Sequence, residues 1–416
     1  MKKSFLFFVV VFFVISITFN IENCTCQWVQ CPGVTSVSIE TCASNSSTIF
    51  VGTSSNGIFL STNNGVSFTQ SSLTTGDIKG ITTNGNNIFA AKYYGGIMRS
   101  TDNGVTWTQT SYTTDECWSM ASSGSNIYAG VGGGVYLSSD NGVTWNFKGL
   151  YYYIIYSLTV SGNKIFAGTH DFGLFYSSNG GANWSQTSMG SGKIYSILVS
   201  GDSVYCAQSN TNTGTGGVFF STNNGGSWAN IFPADTSYFR SLAKNGNTLI
   251  AGTYNHGVYL TTNNGIQWFR KNQGFVGIPW NSSYIMTLLY FNNNFYAGTW
   301  GQAFWKRSST EIVGINNISA EIPSSFKLFQ NYPNPFNSIS KIKYQISKIE
   351  VRSQKSEVRI VIYDITGKVV SVLVNQEQEP GTYEVTFDGS NLASGIYFYQ
   401  LRSGEFVETR RFVLLK

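Results

Sequence analysis

Between residues 27 and 310 the chain alternates short apolar segments with clusters of Gly, Asn and Ser, and no stretch has the periodicity of a helix. The segments have the length of β-strands, and turn residues bound each of them. One unit reads as four strands, at residues 118–121, 126–129, 134–137 and 144–147. The pattern predicts an all-β fold built from repeated four-stranded units.

An eight-residue turn phrase punctuates these units six times, each copy beginning with Ser or Thr and ending on an aromatic ring. The closing rings lie 39, 38, 39, 44 and 40 residues apart, a period that marks a repeat array. Asn or Asp at the third position can accept backbone hydrogen bonds, and Gly at the fifth supplies a positive φ, so the phrase predicts a structural hairpin turn. These two positions are Asn63 and Gly65, Asp102 and Gly104, Asp140 and Gly142, Asn179 and Gly181, Asn223 and Gly225, and Asn263 and Gly265.

A second phrase, an aromatic residue or Ile followed by small residues, precedes each turn and occurs seven times, first at residues 50–53 and last at 296–299. The last unit lacks its turn phrase and its outer strand, because residues 303–309 are followed by neither. Residues 27–30 read like residues 106–109, and Trp28 precedes Phe68 by one period of 40. We predict that this segment supplies the missing strand and closes the ring, which hides the sheet edges.

The turn phrase resembles the Asp-box, or BNR, motif of β-propellers, and the array resembles sortilin-like and photosystem-assembly-factor-like propellers. With the seven copies of the second phrase, the prediction is a seven-bladed β-propeller over residues 27–310. The resemblance implies that it acts by binding rather than by catalysis. It transfers architecture and not the ligand.

The ends of the chain indicate where the protein works. Met1-Lys2-Lys3 and the apolar run at 5–19 have the charge and hydrophobicity of a secretory signal, so we expect a signal peptide at 1–26 and no transmembrane segment after its cleavage. After residue 310 the turn phrase vanishes and Lys and Glu become frequent. We expect a linker at 311–322 and a small β-sandwich at 323–416, with strands at 341–346, 358–364, 382–387, 395–402 and 405–414.

Four C-terminal motifs occur in order: Tyr332-Pro-Asn-Pro-Phe336, Tyr363-Asp-Ile-Thr-Gly-Lys368, Leu392-Ala-Ser-Gly-Ile-Tyr397 and Arg411-Phe-Val-Leu-Leu-Lys416. Together they resemble the C-terminal sorting domain of type IX secretion substrates. The polar stretch at 347–357 departs from that pattern. The resemblance implies a Gram-negative bacterium of the Bacteroidetes type, the type IX machinery as a partner, and a secreted or cell-surface location associated with the outer membrane.

Composition agrees with an extracellular product, because aromatic residues reach 15% and charged residues only 11%. Residues 27–310 hold 12 basic and 9 acidic residues, which is not the clustered basic surface that nucleic acid requires. Cys206 stands where other blades carry Ala, which predicts a small buried residue. Cys31, Cys42 and Cys117 form an odd set, which argues against a complete disulfide framework.

The sequence offers little for catalysis. A sialidase needs an arginine cluster and a Tyr/Glu pair. Residues 27–310 contain only Glu40 and Glu116 as glutamates and four arginines, Arg99, Arg240, Arg270 and Arg307. Two histidines alone do not make a metal site, so we expect neither catalytic residues nor a metal or other cofactor.

One face of the propeller is rich in aromatic residues. Aligning the first strands of the blades places Lys79, Trp118, Tyr156, Tyr195, Arg240 and Met286 in one column nearest the axis. Loops on the same face add further rings, which either bind a ligand or pack the loops together. The candidate ligand-binding residues are Lys79, Tyr93, Tyr94, Trp118, Tyr156, His170, Tyr195, Arg240, Tyr254, His256, Trp280 and Trp300.

We therefore predict a secreted, surface-associated, non-catalytic propeller that binds a glycan or a protein. Two alternatives stay open: a secreted glycoside hydrolase of sialidase-like architecture, and a structural adhesion or surface-layer component. Paired carboxylates in the central cavity would favour the enzyme.

Overall fold

A computed structural model describes most of the chain. The described residues are 27–35, 37–114, 116–210, 215–232, 238–262, 264–265, 268–275, 284–312, 316–319, 323–347, 356–378, 380–389 and 392–416. The expected signal peptide at 1–26, the candidate Trp280 and the turn residue Asn263 lie outside the described residues.

Seven four-stranded antiparallel sheets follow one another along the first three quarters of the chain. Strand β1 covers Val29–Thr35. Blade 1 contains β2 (Ile39–Ser44), β3 (Ile49–Thr53), β4 (Ile58–Ser61) and β5 (Thr69–Gln70). Blade 2 contains β6 (Ile78–Asn84), β7 (Asn87–Lys92), β8 (Ile97–Ser100) and β9 (Thr108–Gln109). Blade 3 contains β10 (Cys117–Ser123), β11 (Asn126–Val131), β12 (Gly134–Ser138) and β13 (Asn146–Gly149).

The remaining blades repeat this order. Blade 4 contains β14 (Ile155–Ser161), β15 (Lys164–Thr169), β16 (Leu174–Ser177) and β17 (Ser185–Gln186). Blade 5 contains β18 (Lys193–Ser200), β19 (Ser203–Asn210), β20 (Thr215–Ser221) and β21 (Ala229–Asn230). Blade 6 contains β22 (Phe239–Asn245), β23 (Thr248–Thr253), β24 (Val258–Thr261) and β25 (Phe269–Arg270). Blade 7 contains β26 (Ile285–Phe291), β27 (Asn294–Thr299) and β28 (Ala303–Ser308), with β1 as its outer strand. The fold is a seven-bladed β-propeller, as the sequence predicts.

The ring closes through the N-terminal strand, which confirms that prediction. Val29 pairs with Lys306 and Gln30 with Trp305, so β1 completes blade 7. Trp28, only 1% exposed, stacks on Phe275 with ring centroids 5.2 Å apart. Its indole N–H donates to the Lys271 carbonyl at 2.6 Å.

The recurring small residues of the second phrase are explained by packing between blades. A side chain at Gly130 would meet Ser119 Oγ at 2.3 Å and Ile155 of the next blade at 2.7 Å. Gly168 is confined in the same way by Ser157 and Ile194. The two serine hydroxyls donate to the carbonyls of Ile155 and Ile194, at 3.1 and 2.7 Å. Glycine thus lets each blade approach the next closely enough to form a bond between them.

The six turn phrases are hydrogen-bonded hairpin turns. In blade 2 the Ser100 hydroxyl donates to Asp102 and accepts from the Gly104 N–H at 2.8 Å. Asp102 also accepts from the backbone N–H of Thr106 at 2.8 Å. The fourth position adopts a positive φ, 61° at Asn103. The same bonds to the fifth-position N–H recur in the other five blades that carry the phrase.

The C-terminal part is a sandwich of two four-stranded sheets around one apolar core. A one-turn helix, α1 (Ser309–Ile312), follows the propeller. One sheet contains β29 (Asn316–Ser319), β30 (Lys327–Leu328), β31 (Ile339–Ile346) and β34 (Gly381–Asp388). The other contains β32 (Ser356–Tyr363), β33 (Val369–Gln378), β35 (Gly395–Ser403) and β36 (Phe406–Leu414).

The sandwich contains three strands that the sequence did not predict, and one of them, β30, has only two residues. Strand β29 lies within the expected linker at 311–322 and pairs with β34, so the sheet begins earlier than composition indicates. Strand β33 is absent from the predicted strands, although its residues 369–374 are almost continuously apolar. A run without clear alternation hides this strand, which bulges twice against β32, at Val370 and at Leu373.

Candidate functional site

A β-bulge interrupts the innermost strand of every blade near its beginning. In blade 3, Cys117 pairs with Val131 and Ser119 pairs with Gly130, so Trp118 is the extra, unpaired residue. The same shift recurs in the other six innermost strands. The extra residues form what we call the bulge ring: Glu40, Lys79, Trp118, Tyr156, Tyr195, Arg240 and Met286.

The residues beside the bulge are uniform, whereas the bulge ring is not. The residue before each bulge is apolar and fully buried, like Ile78 and Phe239. The residue after it is always Gly, Ser or Thr, and the next one is always apolar or Cys. The bulge ring itself holds two cations, one acid, three aromatic rings and a methionine. Blade packing therefore dictates the neighbours and leaves the chemistry of the bulge ring open, as expected where bulges aim side chains at a site.

The bulge ring surrounds the entrance of a central cavity of about 260 Å³. Below it lie two further layers from the same strands, one of small residues and one of apolar residues such as Leu242 and Leu288. A cavity of this size is slightly below the range of drug-sized ligand pockets, roughly 300–1,000 Å³. It is therefore large enough for a small chemical group but not for a whole drug-sized molecule.

An arch of aromatic rings follows the bulge ring over half of the circle. Trp118 contacts Tyr156, with ring centroids 4.5 Å apart, and Tyr156 contacts Tyr195 at 5.6 Å. On one flank Tyr93 contacts Trp118 at 4.6 Å and Tyr94 at 4.3 Å. The rings from four blades thus form one continuous surface beside the cavity.

The other flank of the arch ends on Arg240. Its guanidinium lies over the Tyr195 ring at 4.5 Å and 6.0 Å from the Tyr254 ring. Tyr254 stacks on Tyr284 at 4.1 Å. Cation–π contacts fix the guanidinium plane. Arg240 Nε is buried and makes no hydrogen bond within the described structure.

Lys79, the second cation of the bulge ring, is neutralised within the protein. Its ammonium lies 3.0 Å from Glu40 and 2.9 Å from Asp77. The Glu40 side chain is only 4% exposed, so this carboxylate serves the ion pair. Arg240 is then the cation of the bulge ring that has no carboxylate partner among the described residues.

Two further acids flank the arch, and both hold neighbouring side chains. Glu116 accepts hydrogen bonds from the Tyr93 and Tyr94 hydroxyls, each at 3.1 Å. His170 stacks on Tyr156 at 4.9 Å, and its Nδ1 lies 2.6 Å from Asp171.

The phenols of Tyr93, Tyr156 and Tyr195 remain protonated at neutral pH, because the pKa of each is raised. Hydrogen bonding with Tyr94, partial burial and the Glu116 carboxylate raise the pKa of Tyr93 well above its usual range. Burial, with a smaller contribution from Tyr195, raises the pKa of Tyr156 to about 12. Burial also raises the pKa of Tyr195. Their hydroxyls are therefore available as neutral donors and acceptors.

The structure brings most of the candidate residues together. Lys79, Tyr93, Tyr94, Trp118, Tyr156, His170, Tyr195, Arg240 and Tyr254 all belong to the bulge ring or contact it through the arch. Trp300 is 49% exposed in the turn after β27, and its N–H donates to the Tyr284 carbonyl. His256 lies in the turn after β23, where its N–H donates to Thr253.

Sequence reasoning missed Glu40, Asp77, Glu116, Asp171 and Tyr284 as members of this region. Glu40 could have been predicted as a member of this region, because residues 39–42 of blade 1 repeat the order seen in the other blades: an apolar residue, a variable one, a small one, and then an apolar residue or Cys. The other four lie in loops, where no periodic pattern shows their direction.

Within the described part of the chain, no group of three or more His, Cys, Asp or Glu side chains could hold a metal ion. Four cysteines, Cys31, Cys42, Cys117 and Cys206, carry free thiols, and Cys206 is fully buried. The described residues include no helix with the length and apolar character that a membrane crossing needs.

Residues 330–415 match the family model described as secretion system C-terminal sorting domain. The chain is thus exported by the type IX system of Bacteroidetes to the outside of the cell or its surface. No curated protein matches the chain.

Several solved structures are similar to it in fold. The extracellular domain of the putative hybrid two-component system BT4673 from B. thetaiotaomicron is 19% identical, with a TM-score of 0.56. That match covers 77% of this chain and 45% of the BT4673 domain, so the chain spans less than half of that relative. YCF48 from Cyanidioschyzon merolae is 13% identical over 68% of this chain and 99% of its own, with a TM-score of 0.53. YCF48 bound to D1 peptide is 13% identical, covers 68% and 94%, and has a TM-score of 0.55.

Proposed function

We propose that the propeller is a non-catalytic extracellular binding module, and that its ligand docks at the mouth formed by the bulge ring and the arch. One observation carries the proposal: the same bulge occurs in all seven blades, yet the residue it aims at the axis differs in nearly every one. A fold that needed these positions for packing would fill them alike, as it fills their neighbours.

The chemistry of the mouth suits recognition. Large aromatic faces supply stacking area at a low cost in conformational entropy, and neutral phenols add directional hydrogen bonds. Arg240 offers donors that no described side chain occupies, held in place by Tyr195. Such a combination fits a glycan or a protein segment.

The distribution of acids favours binding over glycoside hydrolysis. Most glycoside hydrolases use two carboxyl groups that face each other across the substrate, roughly 5 to 10 Å apart, and a sialidase uses a Tyr/Glu pair with an arginine cluster. Among the residues that line the cavity, Glu40 is the one acid, and it is paired with Lys79. Glu116 and Asp171 each hold a neighbouring side chain.

Two likenesses support this proposal. The turn phrases form the hydrogen-bonded turns that their resemblance to Asp boxes implies, and they serve the fold rather than a site. A structurally similar protein has been solved as YCF48 bound to D1 peptide, which is an example of a propeller-like relative with a bound peptide.

The test is a binding screen of the secreted protein against a glycan array and a peptide library, with turnover measured on every hit. We expect at least one ligand to bind without being cleaved. The double variant Trp118→Ala, Tyr156→Ala should weaken that binding at least about tenfold, since stacked rings contribute roughly 1 kcal/mol or more each. Cleavage of a hit would favour the hydrolase. Unchanged affinity in the double variant would place the ligand elsewhere, and an absence of any ligand would favour a structural surface component.

A further inference from the structure

Blade 3 departs from its neighbours at the rim of the mouth. Blades 1, 2, 4 and 6 join their second and third strands through four residues, and in blades 2, 4 and 6 this turn carries the arch residues Tyr93, Tyr94, His170 and Tyr254. In blade 3 only Gly132 and Gly133 separate β11 from β12. The rim beside Trp118 is therefore bare backbone.

The fold does not require glycine at these two positions. Neither residue has a left-handed φ, and a Cβ at Gly132 or Gly133 would have no neighbour closer than 3.8 Å. Gly134 is different: its φ is +115°, and a Cβ there would lie 2.4 Å from the Gly149 carbonyl oxygen. Glycine that neither strain nor crowding explains is expected where another molecule approaches the backbone.

Glu116 and Tyr151 lie on the two sides of this gap. On the inner side, the space at Gly132 borders Glu116 at 3.8 Å, and Glu116 is two residues from Trp118. On the outer side, the space at Gly133 borders the Tyr151 backbone at 3.8 Å. We call Gly132, Gly133, Glu116 and Tyr151 the blade 3 notch.

Exposed rings continue outward from the notch. Tyr151 is 63% exposed and Tyr152 87% exposed, with ring centroids 5.0 Å apart. Phe147, which is 45% exposed, contacts Tyr151 at 6.0 Å. The loop that carries Tyr151 and Tyr152 begins with Leu150 at a φ of 61°, a conformation that branched residues rarely adopt. The loop thus holds large apolar rings in water at a conformational cost.

We propose that a linear oligosaccharide runs from the mouth across the blade 3 notch, with inner sugars on Trp118 and Tyr156 and outer sugars on Tyr151 and Tyr152. This inference rests on the proposed function and names the ligand class. Sugar rings stack on aromatic faces, and the Glu116 carboxylate at the gap accepts hydrogen bonds from hydroxyl groups. An extended peptide fits less well, because it gains affinity by adding to a free strand edge, and β11 and β12 pair with each other up to the turn.

The test uses the full secreted chain and an array of neutral and acidic linear oligosaccharides of one to about eight sugars. Eight is about the number of sugars that the aromatic rings of the mouth and of the outer loop could contact if each ring stacks on one sugar. We expect affinity to rise with length, by about tenfold or more between the shortest and the longest binder of one series, because the outer rings add stacking contacts. The double variant Gly132→Gln, Gly133→Gln should remove most of this gain and leave the affinity for the shortest binder within about twofold, equivalent to less than 0.5 kcal/mol. Ser55→Gln, in the corresponding turn of blade 1, is the matched control and should change neither value.

Thermal unfolding of the notch variant should match that of the natural protein, because a Cβ at either position makes only ordinary van der Waals contacts, at 3.8 Å or more. The inference is overturned if affinity does not depend on length, if the notch variant binds long oligosaccharides unchanged, or if only peptides bind. Trp118→Ala distinguishes the proposed function from this further inference. If Trp118→Ala weakens binding and the Gly132→Gln, Gly133→Gln variant does not, the proposed function is retained and the path across the blade 3 notch is rejected. Unchanged binding in Trp118→Ala would reject the proposed function itself.

Discussion

The two ends of each blade follow opposite rules. At the end that carries the turn phrase, the same Ser or Thr hydroxyl binds the same glycine N–H in six blades, and the sequence repeats with the geometry. At the mouth, the bulge repeats in seven blades and the side chain it presents changes. In a repeat protein, uniform residues on a uniform backbone indicate stability, whereas varied residues on a uniform backbone indicate function.

Burial explains the difference. Ser100 and Ser177 are each 1% exposed, so loss of their hydroxyls would leave buried N–H groups without a partner. Bulge ring residues such as Trp118, Tyr156 and Arg240 are partly exposed and contact mainly one another. Their replacement should therefore alter recognition more than folding.

The largest effect on stability is expected where β1 pairs with β28 to complete blade 7, which lacks a turn phrase. Trp28→Ala should lower the free energy of unfolding by about 3–5 kcal/mol, because it empties a fully buried site and removes the bond to the Lys271 carbonyl. Denaturant unfolding measures this. Trp28→Phe, which retains a ring against Phe275, should cost less. An unchanged denaturant midpoint of unfolding in Trp28→Ala would mean that the stability of the propeller does not depend on closure by the N-terminal segment.

A smaller loss of stability is expected when a hydroxyl of the turn phrase is removed. Ser100→Ala should cost about 1–3 kcal/mol, because the buried Gly104 N–H loses its acceptor. The matched control Ser72→Ala, at an exposed position, should stay within about 0.5 kcal/mol. Equal stability of the two variants would show that the turn phrase does not hold the blade.

The smallest expected effect is on the stability of the protein at acidic pH. Hydrogen bonds from the side chain and N–H of Thr106 lower the pKa of Asp102 to about 2, and Thr144 does the same for Asp140. An unfolded Asp titrates near pH 3.9, so these carboxylates stabilise the fold above about pH 4, and their contribution is lost as pH falls toward 2. The double variant Asp102→Asn, Asp140→Asn has the residue that the other turns already use. Its free energy of unfolding should fall less than that of the natural protein between pH 4 and 2. If the free energies of the two proteins fall in parallel with pH, Asp102 and Asp140 do not cause the acid sensitivity.

The sequence predicted the fold well because its signals are local and repeated. Six turn phrases define the period, and Trp28 with residues 27–30 identified the closing strand. Alignment of the first strands also placed Lys79 and Arg240 in one column, and the structure confirms that both line the cavity.

The rest could not be predicted, for physical reasons. A bulge depends on the register between two strands, which side-chain patterns within one strand do not specify. The contacts of Glu116 with Tyr93 and Tyr94 join two blades through loops, and loop direction leaves no periodic trace in the sequence. Tyr152, which is 87% exposed, likewise lies in a loop, the one between β13 and β14.

The most direct test of the central claim compares the two ends in one experiment. A ligand found by the screen is titrated against Trp118→Ala and Ser100→Ala, and each variant is also unfolded in denaturant. We predict that Trp118→Ala loses about tenfold or more in affinity with a stability change on the order of 1 kcal/mol, whereas Ser100→Ala loses stability and keeps its affinity. The reverse result, with Trp118→Ala unfolded or fully able to bind and Ser100→Ala unable to bind, would contradict the division of the blades into a structural end and a recognition end.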